Sequence, residues 1–396
     1  MSKTIALLSG KGGSGKTTVS LSIASMLSNC GVRTLLIDAD LSTNGATYFY
    51  ENKLSNNNMK IASFCEILNG EKDIEEFIHI NEYFDFCPSI LQIIIKNVET
   101  FSYHGNNEEL NKKFNEVLTE KYDVILFDCQ AGYADILKII LPLVDINLIV
   151  MEADAISSAA IRSLYLKIGD IIEKKKVYQV FNKATPEEYE IYSKVTGGTV
   201  FTNIETIIFD WKIRKAFSVA QIPDMESTSA SYGKQIYNIC KILFTEERIA
   251  DKLKKYEMII ELIATTERKE KLEDSIKKSM EEYNRERKSK IVKMLNMITL
   301  PITVVMFCSM FVYLIEKRVF SFDLEFSITV IASLIALLAT VFSAWTSMYD
   351  SLKERKYKFR ELEIYRNDLS KVNIEIRNIQ EKLELANEEI CLERRQ

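Results

Sequence analysis

The sequence predicts an α/β fold with a mostly parallel sheet, followed by two charged coiled-coil arms that flank a pair of long apolar helices. Three observations carry this expectation. Apolar runs alternate with helix-like stretches from residue 4 to residue 243. All 13 glycines and four of the 5 prolines lie before residue 246. The remainder divides into charged, glycine-free segments around two uncharged runs. Alternation of the first kind implies a parallel sheet covered on both faces, with ligands gathering at the carboxyl ends of its strands.

The elements follow in order. TIALLS (4–9), TLLIDAD (34–40), FDFCPS (84–89), YDVILFD (122–128), INLIVME (146–152) and VYQVFN (177–182) are short, apolar and punctuated by polar residues, so they read as buried strands. Helix-like stretches at 16–29, 108–121, 156–174 and 228–243 lie between or after them. Together they define a globular domain over 1–245, with 24 Lys+Arg against 30 Asp+Glu and hence a charge of −6. An arm follows over 246–293, where Ile249, Leu253, Tyr256, Ile260 and Ile263 keep heptad spacing. Glu267 and Glu270 then break the seam, and Leu272, Ile276 and Tyr283 resume it out of phase.

The runs 294–315 and 326–349 each hold at least 22 residues without a charge, about what a transmembrane helix needs. Arg285, Arg287, Lys288, Lys290 and Lys293 precede the first run, and Lys353, Arg355, Lys356, Lys358 and Arg360 follow the second. The connector 316–325 has only Lys317 and Arg318. By the positive-inside rule the expectation is a multi-pass protein of the inner cell membrane, in contact with the lipid bilayer through 294–349, with both termini cytoplasmic and the connector outside. Tyr313, Trp345 and Tyr349 sit where interfacial aromatics belong. Ala332, Ala336, Thr340 and Ala344 form a small-residue stripe for close helix packing. The returning arm, 350–396, keeps Leu362, Tyr365, Leu369, Val372, Ile376, Ile379, Leu383, Ala386 and Ile390 in heptad register. Arms of matched length predict a stalk of ~70 Å.

Composition narrows the chemistry. The 7 cysteines occur singly with no C-x-x-C pair, which excludes a zinc knuckle and a thioredoxin-like redox motif. Only 2 histidines are present, His79 and His104, so histidine-based metal sites and catalytic triads are not expected. Unpaired thiols suit a reducing compartment, and no apolar leader precedes the first strand.

The stretch SGKGGSGKTT (9–18) carries the chemistry. Gly10, Gly15, Lys16 and Thr17 satisfy G-x-x-x-x-G-K-[ST] between a strand and a helix. Backbone N–H groups from Gly10 through Thr18, including Gly12, Gly13 and Ser14, are placed to wrap phosphates. Lys16 reaches the β- and γ-phosphates, and the Thr17 hydroxyl binds Mg²⁺. A nucleoside triphosphate and Mg²⁺ are therefore the expected ligands, and the resemblance drawn next implies that the nucleotide is ATP. Such a loop needs one lysine, and this one has a second, Lys11.

K-G-G-x-G-K-T-T resembles the deviant Walker A loop of the ParA/MinD family of ATPases. The resemblance implies that Lys11 reaches across an ATP-dependent homodimer to the partner's nucleotide. LLIDADLSTNGAT (35–47) resembles the switch I segment, with Asp38 and Asp40. YDVILFDCQAG (122–132) resembles the Walker B strand and switch II, with Asp128 and Gly132. VFNK (180–183) resembles the strand whose asparagine, here Asn182, holds adenine, and 209–223 loosely resembles a stretch near the base. Asp40, with Asp38 alongside, is the candidate for positioning the attacking water; Thr17, Asp40 and Asp128 are the metal-side candidates. Asp154 has three open readings: the partner's nucleotide, Lys11, or a helix cap. Cys129 reads as packing. One departure stands out. Gln130 occupies the position where the family usually has proline, so hydrolysis is expected to be slow or differently triggered.

These residues predict a membrane-anchored ATPase that dimerises on ATP and times the positioning, assembly or recruitment of partners, among them an unidentified activator. Two alternatives stand beside it. One is a non-hydrolysing coiled-coil scaffold with a structural nucleotide. The other is an enzyme like the bacterial tyrosine kinases, disfavoured because the apolar runs follow the domain and the last 30 residues contain no tyrosine. A pore is disfavoured because neither run contains a charge. DNA binding is not favoured by a charge of −6, although Lys212, Arg214 and Lys215 form a local basic patch. Partition, surface assembly and phage defence are all compatible with the sequence.

Overall fold

The computed structural model describes residues 2–50, 61–69, 77–90, 118–196, 201–219, 229–316 and 357–382, with a few single positions between them. The chain divides into two compact units. One comprises Met1–Ala264 with Ile379–Gln396, the other Thr265–Asn378.

The first unit is built on one sheet. Its strands are β1 (Lys3–Leu8), β2 (Thr34–Ala39), β3 (Ile78–Asn81), β4 (Phe84–Cys87), β5 (Val124–Cys129), β6 (Ile146–Met151), β7 (Lys176–Asn182) and β8 (Thr202–Ile207), in the spatial order β3-β4-β2-β5-β1-β6-β7-β8. All neighbours are parallel except β3 and β4. Every residue of β2, β5 and β6 is buried, as expected of strands covered on both faces. Successive side chains alternate between two cores. Ile5, Leu7, Leu126 and Val150 meet α1 (Lys16–Asn29) on one face, and Ala6, Leu8, Phe127 and Ile149 meet the other. That second face is covered by α3 (Phe64–Leu68), α4 (Leu137–Leu143) and α5 (Ala155–Ile172). Short α2 (Gly45–Phe49) follows β2, α6 (Pro186–Thr196) follows β7 and α7 (Trp211–Ser218) follows β8. The helix α8 (Ala230–Leu243) joins α1 on the first face.

The six expected strands and the helices at 16–29, 156–174 and 228–243 are present with ends shifted by a residue or two. The helix expected at 108–121 lies largely outside the described residues. β3 and β8 are additional, and both are edge strands with half-exposed polar residues that weaken an apolar signal.

The long helix α9 (Glu247–Glu316) begins in this unit. Ile249, Leu253, Tyr256 and Ile260 belong to the core that contains α1 and α8, not to a free arm. The first compact unit thus runs past residue 245 to Ala264. Charge fixes the same junction. Lys3 pairs with Glu246 at 2.9 Å, Arg33 and Arg248 reach Asp123 at 3.4 and 3.2 Å, and the Lys252 ammonium donates to the Gly31 carbonyl at 2.6 Å.

In the second unit, the helix α10 (357–382), up to Asn378, runs antiparallel to α9: Lys358 pairs with Glu282 and Glu375 with Arg268, each at 3.7 Å. Leu362 and Val372 are buried and Tyr365, Leu369 and Ile376 half-buried, so the expected heptad seam faces inward. Leu383, Ala386 and Ile390 lie outside the described residues.

The membrane expectation is corrected. Among the described residues no helix is long and apolar enough to cross a membrane. Along α9 the described side chains up to Arg285 include charged groups in nearly every turn, and beyond it Ile302, Val305 and Ser309 are described and exposed. The run 294–315 lies within α9, whereas the connector and most of 326–349 lie outside the described residues.

Candidate functional site

A cleft of about 430 Å³ opens at the carboxyl ends of the strands. Its lining comes from the segments that follow β1 (Lys11 to Thr18), β2 (Asp40, Ser42, Thr43), β5 (Gln130, Ala131), β7 (Lys183, beside Asn182) and β8 (Ile208, Phe209, Asp210). β1 is where the strand order turns from one side of the sheet to the other, the position where ligands bind in open α/β sheets. The volume suits a nucleotide-sized ligand.

The loop after β1 is shaped by close backbone approach. Gly15 has φ 86, and a Cβ there would lie 2.0 Å from Asn182 Nδ2. Asn182 in turn donates that nitrogen to the Ser14 carbonyl at 2.8 Å, and Lys183 donates to the Gly13 carbonyl. Gly12 and Gly13 line the cleft, while Gly10 packs on the backbone of α5 at Ala160. α1 starts at Lys16 with no side-chain cap, so its first N–H groups are left for a ligand, and the helix end favours an anion.

Lys16 is 5% exposed and donates to Asp128 Oδ1 at 2.7 Å. Burial lowers its basicity, but the Asp128 charge and hydrogen bond outweigh that and hold the ammonium above its ordinary pKa. In the sheet, Asp128 is the register partner of Leu7 on one side and Asp38 on the other. Two buried carboxylates thus face each other in register, and Asp128 is the one bound by the Lys16 ammonium. Burial, and then the charge of Asp128, push the Asp38 pKa up to about 7 against the hydrogen bonds from Thr47. Asp38 accepts from the Thr47 backbone at 2.8 Å, the Thr47 hydroxyl at 2.7 Å and the Asp40 N–H at 3.1 Å. It is fully buried and is not among the residues that line the cleft.

Asp40 does line the cleft. Its Oδ1 accepts from the N–H of Ser42 and Thr43 and the Ser42 hydroxyl, and its Oδ2 from the Thr43 hydroxyl, at 2.7–3.1 Å. Burial opposes ionisation here, but these bonds and the Lys16 charge prevail and hold the carboxyl below its ordinary range. Thr17 and Thr18 both line the cleft. The donor set fits Mg²⁺: hard oxygens from Thr17 and Asp40 at the cleft, and behind them Asp128, whose Oδ2 is buried without a hydrogen-bond partner among the described residues. No cluster of three or more His, Cys, Asp or Glu that could hold a metal occurs among the described residues.

Lys11 is held within its own chain. Its ammonium lies 3.1 Å from Glu152 Oε2 and 3.2 Å from Asp154 Oδ2, and the Glu152 hydrogen bond is the chief cause of its raised pKa. Asp154 also caps α5 through Ser157, so two of its three open readings hold together. Lys183 pairs with Glu152 Oε1 at 3.1 Å. Sequence reasoning missed Glu152 and Lys183, although each stands at the carboxyl end of its strand next to a residue already singled out. Cys129 is fully buried, as packing requires. The basic residues Lys212, Arg214 and Lys215 are exposed on α7, and Arg214 also lines the cleft.

Comparison with known proteins agrees with this geometry. Residues 2–180 match the family model for an AAA domain. A septum site-determining MinD protein of Guillardia theta is 30% identical over 132 residues, 33% of this chain and 46% of that one. The sporulation initiation inhibitor Soj of Bacillus subtilis is 29% identical over 133 residues, 33% of this chain and 50% of that one. The chain thus spans about half the length of these curated relatives. Among solved structures, the MinC:MinD cell division complex of Aquifex aeolicus aligns with TM-score 0.51 and 20% identity, covering 62% of this chain and 97% of that one. A plasmid partition protein of Borrelia burgdorferi bound to AMPPNP aligns with TM-score 0.50 and 24% identity, covering 61% and 98%. The phosphate loop, the paired strand-end carboxylates and the second lysine thus lie in a domain that is similar in sequence to MinD and Soj proteins and in fold to the MinC:MinD complex and the plasmid partition protein.

Proposed function

We propose that this chain binds and hydrolyses Mg-ATP, dimerises in the ATP state and uses the cycle as a switch for positioning or recruiting a protein partner. The observation that carries the reading is the buried Lys16–Asp128 pair at the foot of a nucleotide-sized cleft. Phosphate entering the cleft would draw the Lys16 ammonium toward it, and the first N–H groups of α1 would bind its oxygens. Magnesium, held from the Thr17, Asp40 and Asp128 side, would neutralise charge between the β- and γ-phosphates. Asn182 and Lys183 would brace the loop from β7 through the Ser14 and Gly13 carbonyls. Asn182 is also our candidate for adenine selectivity.

Lys11 gives the dimer reading its physical content. Its carboxylate partners Glu152 and Asp154 are about 30% and 39% exposed, so the ammonium can exchange them for a phosphate of a second subunit without crossing a dry core. The partner, and whether the output is partition, surface assembly or defence, are open to experiment. The test is release of inorganic phosphate from Mg-ATP by the full chain, with Lys16→Ala as the control. Turnover lost in Lys16→Ala is the expected result. Wild-type ATP affinity in that variant refutes the site, and radioactive phosphate retained on the protein would favour a kinase instead.

A further inference from the structure

The segment after β5 is pinned on both sides of Gln130. Asp128 is bound by Lys16, and Cys129 is fully buried. Gly132, left-handed at φ 74, donates its N–H to the Ser9 carbonyl at 2.8 Å, tying the segment to the start of the phosphate loop. Gln130 is half-buried between these ties and lines the cleft with Lys16, Thr17 and Asp40. Its amide makes no hydrogen bond among the described residues. Of the acids expected to handle water, Asp38 does not line the cleft, and Asp40, whose oxygens accept from Ser42 and Thr43, stands on the metal side.

We propose that Gln130 orients the water that attacks the terminal phosphate of ATP. The proposal rests on reading the cleft as an ATP site. A primary amide has the two functions the task needs: its carbonyl accepts from the water, and its NH₂ donates to a γ-phosphate oxygen. Glutamine does this work in other phosphoryl-transfer sites. The water oxygen bonds to the γ-phosphorus, and the bond to the bridging oxygen breaks with its electron pair left on ADP. A water proton passes to a phosphate oxygen, giving ADP and inorganic phosphate. Gln130 neither gains nor loses a proton. Proline, which the ParA/MinD pattern has at this position, offers neither function, so turnover in this chain depends on a side chain that the pattern lacks.

The test uses the full chain and its Gln130→Ala and Gln130→Pro variants. It reads turnover of Mg-ATP, affinity for Mg-ADP, and the tightening of ADP binding when aluminium fluoride is added as a mimic of the transferring phosphoryl group. Both variants are expected to keep ADP affinity within about twofold, to lose about a hundredfold in kcat with KM little changed, and to lose the tightening. A merely structural role would weaken ADP binding and its transition-state complex alike. Variants that keep both turnover and tightening overturn the role of Gln130 and leave the ATPase reading standing. A wild-type chain that binds no Mg-ATP, or binds it without turnover or tightening, overturns both.

Discussion

Lys16 sits in a dry site against one carboxylate, with a second carboxylate on the neighbouring strand. Removing its ammonium leaves Asp128 buried and unpaired, so Lys16→Ala should cost about 3 kcal/mol of stability besides abolishing ATP binding. Adding Asp128→Asn should restore part of that loss; chemical denaturation without nucleotide measures both. Asp38 gives a signed pH effect. Its pKa rises from 3.8 to about 7 on folding, so the folded chain holds more protons than the unfolded one between those values. Stability from this group is complete below pH ~4 and is lost as pH rises through about 7. Asp38→Asn, which cannot ionise, should therefore gain in Tm over its parent from pH 5 to pH 8 in magnesium-free buffer. A difference in Tm that stays flat across that range would count against a raised Asp38 pKa set by burial and the Asp128 charge. At this scale the loop residues were legible because their spacing is dictated by phosphate geometry. The confinement of Asp38 and the hold of Glu152 on Lys11 were not, because both depend on which strands are neighbours.

Strands were legible wherever they are buried on both faces, as β1, β2 and β5 are, because such strands are continuous apolar runs. β8, TNIETI, is half-exposed along its length and carries no such run. The heptad pattern at the start of α9 was seen correctly and assigned to the wrong partner: spacing shows that a helix has an apolar face, not what covers it. The anchor of that helix can be tested. Asp123 is 8% exposed and accepts the Arg33 N–H at 3.0 Å, so Asp123→Ala should destabilise the chain by about 2 kcal/mol in chemical denaturation. Arg248→Ala, whose guanidinium is 68% exposed, should cost under about 1 kcal/mol.

For the molecule as a whole, the second lysine ties chemistry to assembly. Lys11→Ala retains Lys16 and Thr17, so it should bind ATP as a monomer with nearly unchanged affinity. A symmetric dimer would lose two charge-assisted phosphate contacts, and its affinity should fall more than a hundredfold. Light scattering of the full chain with a non-hydrolysable ATP analogue and Mg²⁺ reads this, and a Lys11→Ala dimer as strong as its parent would refute the cross-subunit role. The apolar runs mark the limit of composition at this scale: length without charge raised the membrane expectation, which among the described residues no helix is long and apolar enough to support.

The order of the strands also sets a hierarchy of opening. β1 and β5 lie at the interior of the sheet, with two neighbours each, whereas β3 and β8 close its two sides. Amide protons exchange with solvent through fluctuations that release outer strands more readily than inner ones. The Ile5–Leu7 and Ile125–Phe127 amides should therefore exchange only when the whole unit unfolds, and those of β8 orders of magnitude sooner. The two strands that carry the phosphate loop and Asp128 would then keep their register while the margin of the sheet frays and reforms.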